Sequence, residues 1–307
     1  MAGVAARLIA DWGTTHLRAW TLDADGAVVG RLTLARGVSG LAPGEAEAVF
    51  RQEIQPALRA AGLPALLCGM VGSNLGWTPV AYLACPVGAR EIAANLCEVA
   101  PDVRITPGLR TSGVLTGAPD VMRGEETQIL GWMADDPART RGRHFLCLPG
   151  THAKWVQVEE GRIISFVTAM TGELYALLMR HSVLRGDPAD AEDDAAFCAG
   201  LEAAGDGGAL AARLFSARAR VVAGGAPARE TSAYVSGLLI GAEVAAAPAL
   251  LGETPHTVHL LGEPALCKRY AAALARNGAA CQIHDGEAAV IAGLGSISIL
   301  SQKGDAP

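Results

Sequence analysis

The sequence predicts an α/β protein of two related domains, each opening with an antiparallel meander of three strands. Three observations lead there. Apolar strand-like runs are interleaved with helix-like runs along the whole of its 307 residues. Glycine, 37 of those 307 residues, punctuates the ends of the strand-like runs. Residues 8–34, LIADWGTTHLRAWTLDADGAVVGRLTL, are echoed by residues 146–170, LCLPGTHAKWVQVEEGRIISFVTAM.

Taken in order, RLIADW, LRAWTL and AVVGRLTL read as the first three strands, and GEAEAVFRQEIQPALRAAG as a helix. ALLCGMV follows as a buried strand, and GEETQILGWMADD as a helix. RHFLCLP, KWVQV and RIISFVTAM form the second meander. Helices GELYALLMRHSVL and SAYVSGLLIGAEVAAAPALL, strand HTVHLLG and helix EPALCKRYAAALARNG come next. Between Asp187 and about Gly225 the chain is rich in Ala, Asp and Gly and reads as helices with loose connections. The domain boundary is expected near 112/113, giving an N-terminal domain 1–112 and a C-terminal domain 113–307.

Each copy of the echo runs through an apolar strand, a Gly-Thr turn, a cation, a Trp, a second strand, an acidic-Gly turn (DADG, EEG) and a third strand. The copies differ in two ways. Arg18 stands five residues after Gly13, whereas Lys154 stands four after Gly150. Asp11 precedes its glycine by two, where the second copy has Leu148.

Composition narrows the function classes. Half the residues are hydrophobic, ample for a large core, and the net charge is -6. No basic stripe suited to nucleic acid is visible. An anionic ligand would therefore be held by local groups and backbone amides. No run reads as a membrane span or secretory leader, so the expected address is the cytoplasm. The seven cysteines form no CxxC pair and read as buried, reduced thiols. His256 and His259 lie in a strand at a spacing that sends them to opposite faces, which argues against zinc.

A tight turn containing glycine exposes backbone N–H groups, and flanking threonines add donors. Two such turns, Gly13-Thr14-Thr15 and Gly150-Thr151-His152, could grip a polyphosphate from both sides of a cleft. Arg18 and Lys154 would add charge there. Asp11 suits a hydrated divalent ion beside the phosphates, since magnesium takes one or two carboxylates plus waters and phosphate oxygens. The competing reading makes Asp11 a turn cap. No GxxxxGK[ST] is present, and both turns lead into strands, so neither a Walker loop nor a Rossmann fingerprint is in question. In PDVMRGEETQILGW, Glu125 is the candidate proton acceptor for a substrate hydroxyl attacking a γ-phosphate. Glu126 and Asp120 are the alternatives, and plain N-terminal capping is the competing reading.

These residues carry a resemblance. DWGTT followed by Arg18 resembles the first phosphate motif of the sugar-kinase, actin and heat-shock chaperone superfamily. Gly124-Glu125-Glu126 stands where the carbohydrate kinases of that superfamily have Gly-Asp-Gln, and Pro149-Gly150-Thr151 follows as the second phosphate motif. More closely, DWGTTHLRAW, CGMVGSNLGW, DVMRGEETQILG, LPGTHAKWV, TAMTGELYALL and SGLLIGAE together resemble the 2-dehydro-3-deoxygalactonokinase family over most of the chain. The resemblance implies two ribonuclease H-like (actin-like ATPase) domains with an interdomain cleft. It implies ATP and Mg2+ as cosubstrates, and a sugar acid, 2-dehydro-3-deoxy-D-galactonate, phosphorylated on its 6-hydroxyl in galactonate catabolism. A same-fold kinase acting on another sugar or on the gluconate epimer is the alternative. No nucleic-acid or membrane partner is implied, and a homodimer is left open.

The remaining motifs are read with that kinase in mind. Gly72, Ser73 and Asn74, at the end of an apolar strand, are candidate contacts to the sugar acid. Arg123 is a candidate for the substrate carboxylate, or else a surface ion-pair partner. In HLLGEPALCKRY, Gly262 stands at the strand–Gly–helix step that the superfamily uses for adenosine. Thr171, Gly172 and Glu173 read as a helix start, and DGEAAVIAGLGSI as a closely packed final helix with no further role.

Overall fold

A computed structural model describes residues 3–113, 117–187, 192–205 and 208–304. The first lobe begins with β1 (Arg7–Trp12), β2 (Leu17–Leu22) and β3 (Val28–Leu34). A helical segment follows, α1 (Glu45–Val49) and α2 (Gln55–Ala57) joined through a π turn. Next come β4 (Ala65–Cys68), β5 (Tyr82–Ala84), β6 (Val87–Gly88), α3 (Ala89–Ala94), β7 (Cys97–Ala100), β8 (Val103–Ile105) and β9 (Gly108–Ser112). Then β10 (Pro119–Met122) leads into α4 (Glu125–Asp135). The second meander is β11 (Arg143–Leu148), β12 (Ala153–Glu159) and β13 (Arg162–Ala169). Helices α5 (Thr171–His181), α6 (Asp194–Ala204), α7 (Leu210–Val222) and α8 (Thr231–Leu251) follow, α8 packing on the meander. The chain ends with β14 (Thr257–Gly262), α9 (Pro264–Arg276), β15 (Ala280–Asp285) and α10 (Gly286–Gly304). Residues just after the boundary expected near 112/113, and parts of the segment 187–225, lie outside the described residues.

The duplication read from the sequence is present in the topology. The first sheet runs β3-β2-β1-β4-β8-β7 and the second β15-β14-β11-β12-β13-β6. In each, an antiparallel meander is followed by parallel neighbours of its first strand, β4 beside β1 and β14 beside β11. The meanders even share an irregularity. The second and third strands slip register at Thr21/Leu22 after Arg18 and at Gln157/Val158 after Lys154. A small third sheet runs β10-β9-β5, and its Leu109 and Met122 join the inner core. Strand β6 precedes residue 112 yet pairs with β13 in the second sheet.

Both main sheets are buried on two faces, which is why their strands read as continuous apolar runs. Leu8, Ala10 and Trp12 pack outward with Val49, Phe50 and Ile54. Ile9, Trp20 and Leu22 face inward, sharing a core with Leu146, Leu148 and Val156 of the second sheet. Helices α4 and α10 lie in this inner layer, contributing Ile129, Leu130, Val290 and Leu294. One matched feature of the echo separates here. Trp20 is two residues after Arg18 and shares its face, whereas Trp155 is one residue after Lys154 and points to the opposite face. There its indole donates to Glu243 of α8 at 2.7 Å, beside the hydroxyl of Tyr270. Helix α8 is long and apolar enough to cross a membrane, but most of it is buried inside the molecule. Among the cysteines, Cys68, Cys147 and Cys267 are buried as expected, while Cys198 is exposed.

Two glycines set the spacing of the inner layer. A Cβ on Gly131 of α4 would lie 1.7 Å from the carbonyl oxygen of Ala289, and one on Gly293 of α10 would lie 2.0 Å from that of Thr127. The helices thus meet backbone to backbone. Helix α4 starts immediately after Gly124, whose φ of 110° suits glycine. Its second residue, Glu126, is wholly buried, with Oε2 accepting from the Gly124 amide at 2.7 Å. Burial, reinforced by the charge of Glu125, raises the Glu126 carboxyl to about 7.

Two stability experiments follow. Gly131→Ala and Gly293→Ala should each cost about 2–3 kcal/mol through overpacking, read as a fall of roughly 5–10 °C in Tm. Gly295→Ala, on the same helix with nothing within 4 Å of its Cβ position, should be neutral or stabilising by up to about 1 kcal/mol. The second concerns pH. The folded value of Glu126 lies above its unfolded one, so its contribution to stability is complete below about 4.5 and is lost as pH rises through about 7. Thermal denaturation from pH 5 to pH 8 should therefore show the wild type losing ground to Glu126→Gln as pH increases.

Candidate active site

A cleft of about 740 Å3 opens where the two meander turns face each other. In the first, Asp11 and Arg18 are opposite one another in the β1–β2 ladder, and the guanidinium reaches the Asp11 carboxylate at 2.5 Å. The other carboxylate oxygen faces the Cys68 thiol at 3.9 Å, and the backbone of Gly69 runs against it. Burial and the nearby Asp11 charge push the Cys68 thiol well up, so it stays a neutral packing group. The turn itself is pinned from behind. The carbonyls of Gly13, Thr14 and Thr15 accept from the amides of Val38, Ser39 and Gly37. Gly37 allows this approach, because a Cβ there would stand 2.1 Å from the Thr14 oxygen. Gly13, Thr14, Asp11 and Arg18 line the cleft, whereas Thr15, though exposed, does not.

The second turn brings Gly150, Thr151 and His152 to the opposite wall. Helix α5 buttresses it. Gly172 packs so tightly that a Cβ would lie 2.5 Å from the Gly150 oxygen, and the Glu173 amide donates to Thr151 O at 3.0 Å. The Glu173 carboxylate also holds the His152 ring. Gly172 and Glu173 thus support the turn. Lys154 is buried; its ammonium donates to His152 O at 2.8 Å and pairs with Glu125 at 3.1 Å.

Glu125 is therefore the carboxylate of α4 that faces the cleft, between the two turns. Its Oε2 also accepts from the Arg123 amide at 3.1 Å. The two alternatives are committed elsewhere. Glu126 is buried beneath the helix start, and Asp120 accepts from the Thr168 amide and hydroxyl, at 2.7 and 2.8 Å, tying β10 to β13.

Arg123 lines the cleft and is no surface ion-pair partner: it is 8% exposed. Gly72 is buried against it, a Cβ there meeting the guanidinium NH1 at 2.8 Å. Gly72, Ser73 and Asn74 are not among the cleft residues. The Ser73 hydroxyl closes its own turn on Met70 O at 2.7 Å, and Asn74 points to solvent.

Gly262 forms the far end of the cleft, with Glu263 capping α9 through the amides of Ala265 and Leu266. Sequence reasoning missed its neighbour. Asp285, Gly286 and Glu287 also line the cleft, and Gly286 approaches so closely that its Cβ would stand 3.0 Å from Gly262 Cα. The signal was available: HDGEAAV repeats the strand–Gly–helix step of HLLGEPAL. Gln128, one turn into α4, was missed as well. The first turns of α4, α9 and α10 all open on the cleft, so partial positive charge converges there.

Comparison with known proteins fits this arrangement. A family model described as 2-keto-3-deoxy-galactonokinase matches residues 11–297. The 2-dehydro-3-deoxygalactonokinase of Escherichia coli (strain K12) is 38% identical over 297 residues, covering 96% of this chain and 98% of its own. A crystal structure from Sinorhizobium meliloti, described as a 2-dehydro-3-deoxygalactonokinase protein, superposes with a TM-score of 0.83 at 35% identity, over 95% of this chain and 98% of that one. The activator of the 2-hydroxyisocaproyl-CoA dehydratase from Clostridium difficile, at 12% identity and a TM-score of 0.50 over 98% of both chains, shares the fold alone. With the fold of the actin-like ATPases, two ribonuclease H-like lobes about a cleft, this chain belongs to the 2-keto-3-deoxy-galactonokinase family.

Proposed function

We propose that this kinase transfers the γ-phosphate of ATP to the 6-hydroxyl of 2-dehydro-3-deoxy-D-galactonate, in galactonate catabolism in the cytoplasm. The observation that carries the reading is Glu125, exposed to the cleft between two buttressed Gly-Thr turns and paired with Lys154. In this reading residues 1–112 and 113–307 are the two lobes, with Val87-Gly88 of the first lent to the second sheet. The turns at Gly13-Thr14 and Gly150-Thr151-His152 hold the phosphates, beside the Arg18–Asp11 and Lys154–Glu125 ion pairs. The adenosine lies toward Gly262 and Gly286. The sugar acid lies deeper, toward Gly72 and Arg123.

Asp11 is the residue that would hold Mg2+. Among the described residues no cluster of three His, Cys, Asp or Glu side chains forms a metal cage. A single carboxylate at the cleft wall nevertheless suits an ion bound chiefly through phosphate oxygens and water. When bound, such an ion supplies charge neutralisation at the transferring phosphoryl group.

The chain's own part is positioning and proton transfer. Glu125 accepts the proton of the attacking hydroxyl, and Lys154 fixes its carboxylate. Closure of the lobes removes water, which would otherwise compete as acceptor.

ADP release against a panel of 2-keto-3-deoxy sugar acids, including the galactonate and gluconate epimers, tests the assignment. Turnover is expected with the galactonate epimer, and no turnover on any member would discard it. Glu125→Gln should lower kcat by about 100- to 10,000-fold while ATP affinity, measured by calorimetry, changes little. Full activity in that variant would remove Glu125 from the proton-accepting role.

A further inference from the structure

Arg123 has an unusual environment. Its side chain is buried at 8% exposure, and only NH2 has a partner, the Val80 carbonyl at 2.5 Å. Nε and NH1 make no hydrogen bond. Among the described residues no carboxylate pairs with it. The guanidinium carbon sits 4.4 Å from the centre of the Tyr82 ring, and Gly72 leaves just enough space beside NH1.

Burying a cation costs free energy that a partner normally offsets. Here Tyr82 supplies an aromatic face and Val80 a single carbonyl, which orient the group without neutralising it. The unmet donors belong to a residue that lines the cleft next to Gly124 and Glu125. The missing counter-charge therefore enters with the ligand. A planar guanidinium with open N–H groups is best matched by a carboxylate.

We infer that Arg123, Tyr82 and Gly72 form the acid-recognition pocket of the acceptor, in which Arg123 binds the substrate carboxylate and Tyr82 and Gly72 set the guanidinium's position. The inference rests on the kinase reading and adds to it a basis for selectivity. A neutral sugar of the same length leaves Arg123 buried and unpaired and is rejected on that account. Neither Tyr82 nor its relation to Gly72 is visible in the chain, since residues 72, 82 and 123 meet only through folding.

Calorimetric titration with 2-dehydro-3-deoxy-D-galactonate and with the neutral sugar 2-deoxy-D-galactose is the test. The wild type should bind the acid and show no binding of the neutral sugar at the same concentrations. Arg123→Gln should weaken acid binding and raise the acceptor KM by about 100-fold, as expected for losing a charge-assisted hydrogen bond, with ATP affinity within about twofold. Arg123→Lys should recover part of the loss. Tyr82→Leu and Gly72→Ala should each raise the acceptor KM by roughly 5- to 20-fold. Should Arg123→Gln not fold, by circular dichroism, these two variants carry the test, and unchanged acceptor affinity in both would overturn the inference. So would unchanged affinity in Arg123→Gln, or a wild type that binds the neutral sugar as well as the acid or does not bind the acid. Acid binding without turnover would leave the pocket standing and sink the kinase assignment instead.

Discussion

The contact between α4 and α10 is the constraint on which the rest of the molecule depends. It is made backbone to backbone at Gly131 and Gly293, in the one layer that touches both sheets. Two helices this close cannot slide or rotate independently. Their first residues, Glu125 and Gly286, are therefore fixed relative to each other, and both open on the cleft. A second close approach ties this pair to the first lobe. The Gly124 and Gly69 backbones meet where a Cβ on Gly124 would be 3.3 Å away from Gly69 Cα, directly behind Asp11. Small residues thus set the distances among groups that lie far apart in sequence.

Strand alternation then decides which hairpin residues reach the site. Asp11 opposite Arg18 and Leu148 opposite Lys154 are equivalent cross-strand pairs, all directed to the inner face. The first hairpin carries both acid and cation. The second carries only the cation, and its acid comes from α4, as Glu125. That substitution explains the asymmetry of the echo. Leu148 is free to pack in the inner core because the carboxylate that would occupy its place is delivered by a helix. It also gives the two Glu residues of Gly124-Glu125-Glu126 separate fates. Successive residues on a helix point about 100° apart, so one faces the cleft and its neighbour is driven into the core, where burial raises its carboxyl.

Much of this was legible in the chain. The meanders, the buried strand β4, and strand β14 with the helix after it stand out because apolar runs end in glycine at each step. Asp11, Arg18, Gly150 and Glu125 were found by the same reading. What escaped has a common physical cause. Strand β6 is two residues long and has its partner in the other sheet, so no local periodicity announces it. The matched tryptophans misled because a one-residue difference in spacing reverses the face of a strand residue. Ser73 and Asn74 follow a strand end, as ligand loops do, but the Ser73 hydroxyl is spent on its own turn. Asp285-Gly286-Glu287 read only as the start of a closely packed final helix, which it is, with Asp285 accepting from the amides of Glu287 and Ala288. Its cleft position follows only from β15 lying beside β14.

Charge pairing distinguishes the two ends of the cleft. The chain carries a net charge of -6, yet its proposed ligands are both anions. At the phosphate end the cations come already paired: Arg18 with Asp11 and Lys154 with Glu125. Arg31 of β3 and Glu287 at the start of α10 form a further pair beside the cleft. Such pairs hold their side chains in fixed geometry while presenting little net field, so in the proposed reading an incoming polyphosphate depends on oriented amides and helix termini. Arg123 alone among these cations has no acid beside it in the described residues. An unpaired buried charge discriminates between ligands far more sharply than a paired one, because a ligand that fails to neutralise it leaves the whole burial cost in place. The division is therefore functional. In the proposed reading ATP is met by a surface whose charges are already paired. The acceptor, in the same reading, is met by Arg123, which no carboxylate pairs among the described residues.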